Sequence, residues 1–245
     1  MSLILNIDTS TGQAGICLAK DGESLVLLNN NDQKDHASWI QVAIRDLLNE
    51  AGYKMQDLQA VAVTAGPGSY TGLRVGLSTA KGICYALQIP LIAENTLLVM
   101  AHAAREIWLP LNGLANQLKI DISDLESPNP ANILLCPMID ARRMEVFTAL
   151  YNQALEEIMP PKALILDENS YKKELNNQFI IFFGSGSDKW KHLCIDNQGV
   201  YREGVLPIMQ SLAKLAAARF SRQSFDDLAY TEPVYLKEFY SYTKK

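Results

Sequence analysis

An α/β fold of two related sub-domains, each built on a mixed sheet, is what the sequence predicts. Three observations carry this. A strand run, an acid-bearing turn and two further strand runs open the chain over residues 3–28, and the same order recurs over residues 132–159. An apolar run at 60–65 enters the turn Gly66-Pro67-Gly68 and a long small-residue-rich run leaves it, which reads as strand, sharp turn, helix. Between the halves the pattern breaks over residues 107–130, where Pro110, Asn112-Gly113, Ser127-Pro128 and Asn129-Pro130 punctuate an acidic stretch; this reads as a junction carrying a surface insertion. The expected division is an N-terminal lobe at 1–105 and a C-terminal lobe at 106–245.

Composition narrows the function classes. With 245 residues, 48% hydrophobic and 20% charged, the chain is an ordinary globular protein of one large or two modest domains. A net charge of −5 argues against a chain that grips nucleic acid by itself, because neutralising phosphates needs a basic surface. The basic clusters Arg142-Arg143 and Lys244-Lys245 are short. Cys17, Cys84, Cys136 and Cys194 have no Cys-x-x-Cys spacing and sit in apolar contexts, so buried free thiols are expected. The chain opens on a strand-like run, and no apolar run approaches the ~20 residues that span a bilayer. A cytoplasmic protein without membrane association is the expectation.

In order, residues 3–7 form a strand ending in Asp8-Thr9-Ser10-Thr11-Gly12, and residues 14–18 and 25–28 are strands joined by a turn at Asp21-Gly22. An acid followed by three hydroxyls resembles the first phosphate loop of the actin/sugar-kinase/Hsp70 superfamily; the plainer reading is an Asx or Ser/Thr turn. A helix follows from His36 to about Ala51, with Ile40, Ala43, Ile44, Leu47, Leu48 and Ala51 as its apolar stripe and Gly52 as its stop. His36 has no partner four residues on, where Ile40 stands, so the helical His-pair metal site is missing.

The Gly66-Pro67-Gly68 turn could gather backbone N–H groups around a phosphate at the start of the next helix, or it could be turn geometry alone. It is not a Walker loop, since no Gly-Lys-Ser/Thr follows. Ser69 or Thr71 caps the helix, and Gly72, Gly76, Ala80 and Cys84 fall at four-residue spacing, a small-residue ridge along one face. Interior glycine costs about 1 kcal/mol relative to alanine. Close approach of another backbone compensates, from the same domain or from another subunit.

Further on, residues 91–93 are a strand and 96–105 a helix. Strands at 132–139 and 144–151 flank the turn Asp140-Ala141-Arg142-Arg143, with another suggested at 155–159. Asp167 or Asn169 caps a short helix to Leu175, residues 179–183 are a buried strand ending in Gly184-Ser185-Gly186-Ser187, and 207–222 is an amphipathic helix expected to pack back on the N-terminal lobe.

Taken together, Ile7-Asp8-Thr9-Ser10, the run from Gly66-Pro67-Gly68-Ser69-Tyr70-Thr71-Gly72 to Leu73-Arg74-Val75-Gly76, and Lys81-Gly82 resemble the TsaB (YeaZ) family. So do Asp140-Ala141-Arg142-Arg143-Met144-Glu145-Val146, Gly184-Ser185-Gly186 and Pro233-Val234-Tyr235-Leu236-Lys237. The resemblance covers nearly the whole chain and implies a two-lobed actin-like (ASKHA) fold. It implies a non-catalytic scaffold subunit needed to make N6-threonylcarbamoyladenosine at position 37 of tRNAs that read ANN codons. The expected partners are a TsaD transferase, the ATPase TsaE and a second copy of the chain, with tRNA met indirectly. No tightly bound cofactor and no metal are expected, and ATP with magnesium serves the partner proteins.

On this reading Ile40, Ile44, Leu47, Gly72, Leu73, Gly76, Ala80 and Cys84 form the partner and dimer interface. Asp8, Thr9, Ser10 and Thr11 are a vestigial phosphate loop. The alternative is an actin-like ATP-binding enzyme, a small-molecule kinase or ATPase using Asp8 and Thr9 to Thr11. Two arginines where an active second loop needs glycine and hydroxyls count against it, as the missing second histidine counts against a metallopeptidase.

Overall fold

The structure, a computed structural model, describes residues 1–30, 36–108, 133–176, 178–194, 199–203, 206 and 208–237, with His36 by its backbone alone. The insertion from residue 109 onward and the Lys244-Lys245 tail lie outside the described residues. The first lobe runs β1 (Leu3–Asp8), β2 (Ala14–Lys20), β3 (Glu23–Asn30), α1 (His36–Ala51), β4 (Ala60–Gly66), α2 (Tyr70–Leu87) and β5 (Leu91–Asn95), and α3 (Thr96–Trp108) leads out of it. Then come β6 (Ile133–Asp140), β7 (Glu145–Tyr151), β8 (Glu157–Ile165), α4 (Lys172–Leu175), β9 (Phe179–Phe183), α5 (Ser187–Lys191), β10 (Gly199–Arg202) and α6 (Ile208–Ser221).

The strand order is β3-β2-β1-β4-β5 in one sheet and β8-β7-β6-β9-β10, read from the matching edge, in the other. In each, the first three strands are antiparallel and the fourth and fifth run parallel to the first. One topology therefore occurs twice, the duplicated actin-like arrangement. The second lobe's later elements were less legible than the first's: β8 continues to Ile165, and β10 and the five-residue α5 break no strong pattern in the sequence.

Alternation within the strands sets the layers. Leu3, Leu5, Ile7, Val61 and Val63 face α1 and α2 in one core, while Ile4, Ala60 and Ala62 meet α6 through Met209, Leu212, Ala213 and Ala216 on the opposite face. This is the period of two that a sheet covered on both faces requires. The helix α3 joins the lobes. Its Val99 belongs to the first sheet's inner core, whereas Leu97, Met100, Ala101 and Ala104 pack with Leu135, Tyr151 and Phe183 of the second sheet.

Local signals operate where the sequence shows them. Asp21 and Gly22 take φ of +51° and +85° at the β2–β3 hairpin, Gly52 takes +72° after α1, and the Ser69 side chain caps α2 by accepting from the Gly72 N–H. After α6 the chain crosses back as a strap. Arg219 pairs with Asp226, the Asp226 carboxylate accepts from the Ala93 N–H, Lys81 Nζ donates to the carbonyls of Ala229 and Thr231, and the Val234 N–H donates to Ala65. Its end reaches the second lobe, where Lys237 pairs with Glu145.

Between α3 and α6, His102 is buried with Nδ1 3.1 Å from Ser211 Oγ. Burial, then the charge of Arg105, lowers its pKa below 6.5, with Lys214 acting the same way and Glu106 opposing. The unfolded chain takes up this proton near the ordinary value while the folded chain resists it. The contribution is therefore complete above about pH 6.5 and is lost as the pH falls through and below it. Urea midpoints are expected to drop between about pH 7 and pH 5, less steeply in His102→Gln; equal slopes would assign the acid sensitivity to other groups.

Candidate functional site

The acid-and-hydroxyl turn after β1 folds onto the glycine turn before α2. Three donors converge on Asp8 Oδ1: the Ser10 N–H at 2.9 Å, Ser10 Oγ at 2.6 Å and Thr64 Oγ1 at 2.6 Å. Asp8, Thr9 and Ser10 are buried, and Thr11 is half-buried at the rim. Thr9 Oγ1 donates to the Gly72 carbonyl at 2.6 Å, and the Ser69 N–H donates to the Ser10 carbonyl at 2.6 Å. A Cβ placed on Gly68 would collide with the Ser10 carbonyl, and one on Gly72 with the Thr9 carbonyl. These glycines are small because main chain lies against them. Main chain fills the space beside these two glycines, and the N–H of Ser69 is already used.

The second lobe repeats the relation. The glycine turn after β9 closes on the acid-bearing turn after β6: Ser185 Oγ accepts from the Asp140 N–H at 3.1 Å, and the Gly186 N–H donates to Met138 at 3.0 Å. A Cβ on Gly186 would stand 3.1 Å from the Ile139 carbonyl carbon. Asp140 pairs with Lys189 at 2.5 Å. Partial burial works against its charge, but the Lys189 ammonium and the Arg142 N–H outweigh it and hold the carboxyl below its usual range.

A cleft of about 420 Å³ opens beside the first turn, lined by Asp8, Thr11, Gln13, Asn29, Ile208 and Met209 among others. No lysine or arginine lines it among the described residues. A polyanion bound there would meet the Asp8 carboxylate without a compensating side-chain cation. Among the described residues no group of three or more His, Cys, Asp or Glu side chains is placed to hold a metal.

The residues expected at the partner interface are all buried within the chain itself. Ile40, Ile44, Leu47, Ala80 and Cys84 lie in the core between the helices and the first sheet. Leu73, Gly72 and Gly76 are buried too, with Gly76 against Thr9 Oγ1, Val63 and Ile7. The small-residue ridge is the seat of the first turn and of β4, so both helices spend their apolar stripes inside the chain. Their outward surface is a different set. Val42 of α1 is exposed, Gln41 Nε2 reaches Thr79 Oγ1 at 3.5 Å between the helices, and Ser78, Gly82 and Tyr85 follow one another along the outside of α2. Tyr85 is 73% exposed, and a Cβ on Gly82 would meet nothing within 4 Å. Gly82 is thus the helix-interior glycine that no internal contact explains. Its position, two residues off the buried ridge, is the sequence signal that could have marked the outer face.

The duplicated actin-like lobes and the paired glycine and acid turns define a class, and similarity to known proteins specifies it. The family described as TsaD, tRNA N6-adenosine threonylcarbamoyltransferase, matches residues 30–238. The Escherichia coli (strain K12) tRNA threonylcarbamoyladenosine biosynthesis protein TsaB is 27% identical over 248 residues, covering 96% of this chain and 94% of that protein. The Bacillus subtilis (strain 168) protein of the same name is 29% identical over 199 residues, covering 80% and 76%. The fold matches that of YeaZ from Pseudomonas aeruginosa with a TM-score of 0.74 at 24% identity, over 96% of this chain and 100% of that one. The chain belongs to the TsaD family, in its TsaB (YeaZ) branch. No helix among the described residues is long and apolar enough to cross a membrane.

Proposed function

We propose that this chain is a non-catalytic scaffold subunit in the synthesis of N6-threonylcarbamoyladenosine at adenosine 37 of tRNAs reading ANN codons, working in the cytoplasm. It holds and activates a TsaD-type transferase together with a TsaE-type ATPase, and pairs with a second copy of itself through an overlapping surface. The relatives named TsaB support the pathway. The observation that carries the non-catalytic role is the sealing of both loops: each glycine turn is packed against the acid-bearing turn of its own lobe. The N–H groups of Ser10, Ser69, Asp140 and Gly186, which could otherwise face a transferring group, are satisfied internally. The chain therefore binds no nucleotide tightly, and ATP and magnesium are handled by its partners. Contact with the partner falls to the outer face of α1 and α2, around Val42, Ser78, Gly82 and Tyr85, in place of the buried ridge.

Reconstitution tests this. Transferase and ATPase with an unmodified tRNA transcript are expected to form little product until this chain is added. Full modification without it would remove the scaffold reading.

A further inference from the structure

The turn between β6 and β7 carries two features that the scaffold role leaves unused. Arg142 and Arg143 occupy consecutive left-handed positions, with φ of +71° and +50°, a region that asparagine and glycine adopt more readily than arginine. Both side chains are exposed, and neither guanidinium has a hydrogen-bond or ion-pair partner among the described residues. The acids beside them are already taken: Asp140 by Lys189, and Glu145 by Lys237 of the strap. This corner of a chain with net charge −5 therefore carries more cations than acids. Two residues before Lys237, Tyr235 extends the surface: its hydroxyl accepts from Arg74 Nε at 2.9 Å, and its ring lies 5.2 Å from that of Tyr70.

We infer that Arg142 and Arg143 contact the phosphodiester backbone of the RNA substrate, so that the scaffold adds a local grip to the complex. The inference rests on the proposed tRNA-modifying function. Guanidinium forks suit phosphate oxygens, and a hairpin tip projects them clear of the acidic remainder. Exposed Tyr235 beside Arg74 adds a ring on which an unpaired base can stack. A pair of unpartnered arginines fits backbone contact, which positions an RNA without reading its sequence.

The test replaces Arg142→Asn together with Arg143→Gly, which removes both charges and supplies the residues the turn geometry favours, so the fold is retained. In the complex with the transferase, assembly measured by co-purification is expected to be unchanged. Affinity for labelled tRNA, read by fluorescence anisotropy, is expected to fall about tenfold, and the dependence of log affinity on log salt to become shallower by roughly 1–2. In steady state the change should appear in KM for tRNA with kcat retained. Unaltered tRNA affinity and salt slope overturn the inference. So does loss of co-purification, which would make the arginines a protein contact. The binding measurement needs no turnover, so it judges the arginines even if modification proves independent of this chain.

Discussion

Replacing Gly72 by alanine is expected to destabilise the chain by about 3 kcal/mol, at the upper end of what overpacking usually costs. The added methyl would stand 1.9 Å from the Thr9 carbonyl oxygen, and Thr9 is held there by the hydrogen bond from its own Oγ1 to the Gly72 carbonyl. Neither side can retreat: Thr9 is buried on the end of β1, and α2 is fixed at its start by the Ser69 cap. For a chain of this size the melting temperature should fall by roughly 6–12 °C. The same chemical change at Gly82 has the opposite sign. Nothing lies within 4 Å of a Cβ there, so Gly82→Ala should add about 0.5–1 kcal/mol through helix propensity alone. Denaturant titration of the two variants measures the contrast, and equal effects would show that the first turn does not press on α2.

The second large effect concerns assembly. Gly82→Leu introduces a bulky side chain on the exposed face of α2, at a position where a Cβ meets nothing within 4 Å. If a partner helix packs across this face, the leucine should weaken capture of the transferase at least about tenfold, the equivalent of ~1.4 kcal/mol, with the melting temperature retained. Tyr85→Ala should weaken it as well, since an exposed aromatic beside a small residue is the composition of an interface anchor. Capture and self-association unchanged in both variants would place the interface on another surface. Ile44→Ala, by contrast, should act mainly by lowering stability, because Ile44 is core.

Much of the fold is legible in the sequence because periodicity and turn chemistry coincide. The stripe from Ile40 to Ala51 with Gly52 behind it gives α1 its limits, and the Asp21-Gly22 hairpin and the Gly66-Pro67-Gly68 turn are placed by residues with special backbone freedom. The duplication is visible as a repeated order of strands. The direction in which α2 faces is not. A ridge of small residues reports that some backbone comes close, and the ridge reads the same whether that backbone is a partner's helix or the Thr9 turn of the same chain. Only the three-dimensional meeting of residues 9 and 72 decides it. The sealed loops are hidden for a similar reason: Asp8 and Thr64 are distant in sequence, and their hydrogen bond depends on β1 and β4 being parallel neighbours.

The strap that ends on Glu145 has a mechanical meaning. Two-lobed folds that work on a ligand between their halves close and reopen about a hinge, and such motion needs connections that yield. Here the shared helix α3 contributes side chains to both cores, and the chain's last described segment is fastened to Lys81 and Ala65 on one lobe and to Glu145 on the other. Opening would have to break the far fastening and disturb a core in the same movement. The two halves are thus tied together twice, by a helix that both cores share and by a strap that reaches from one lobe to the other.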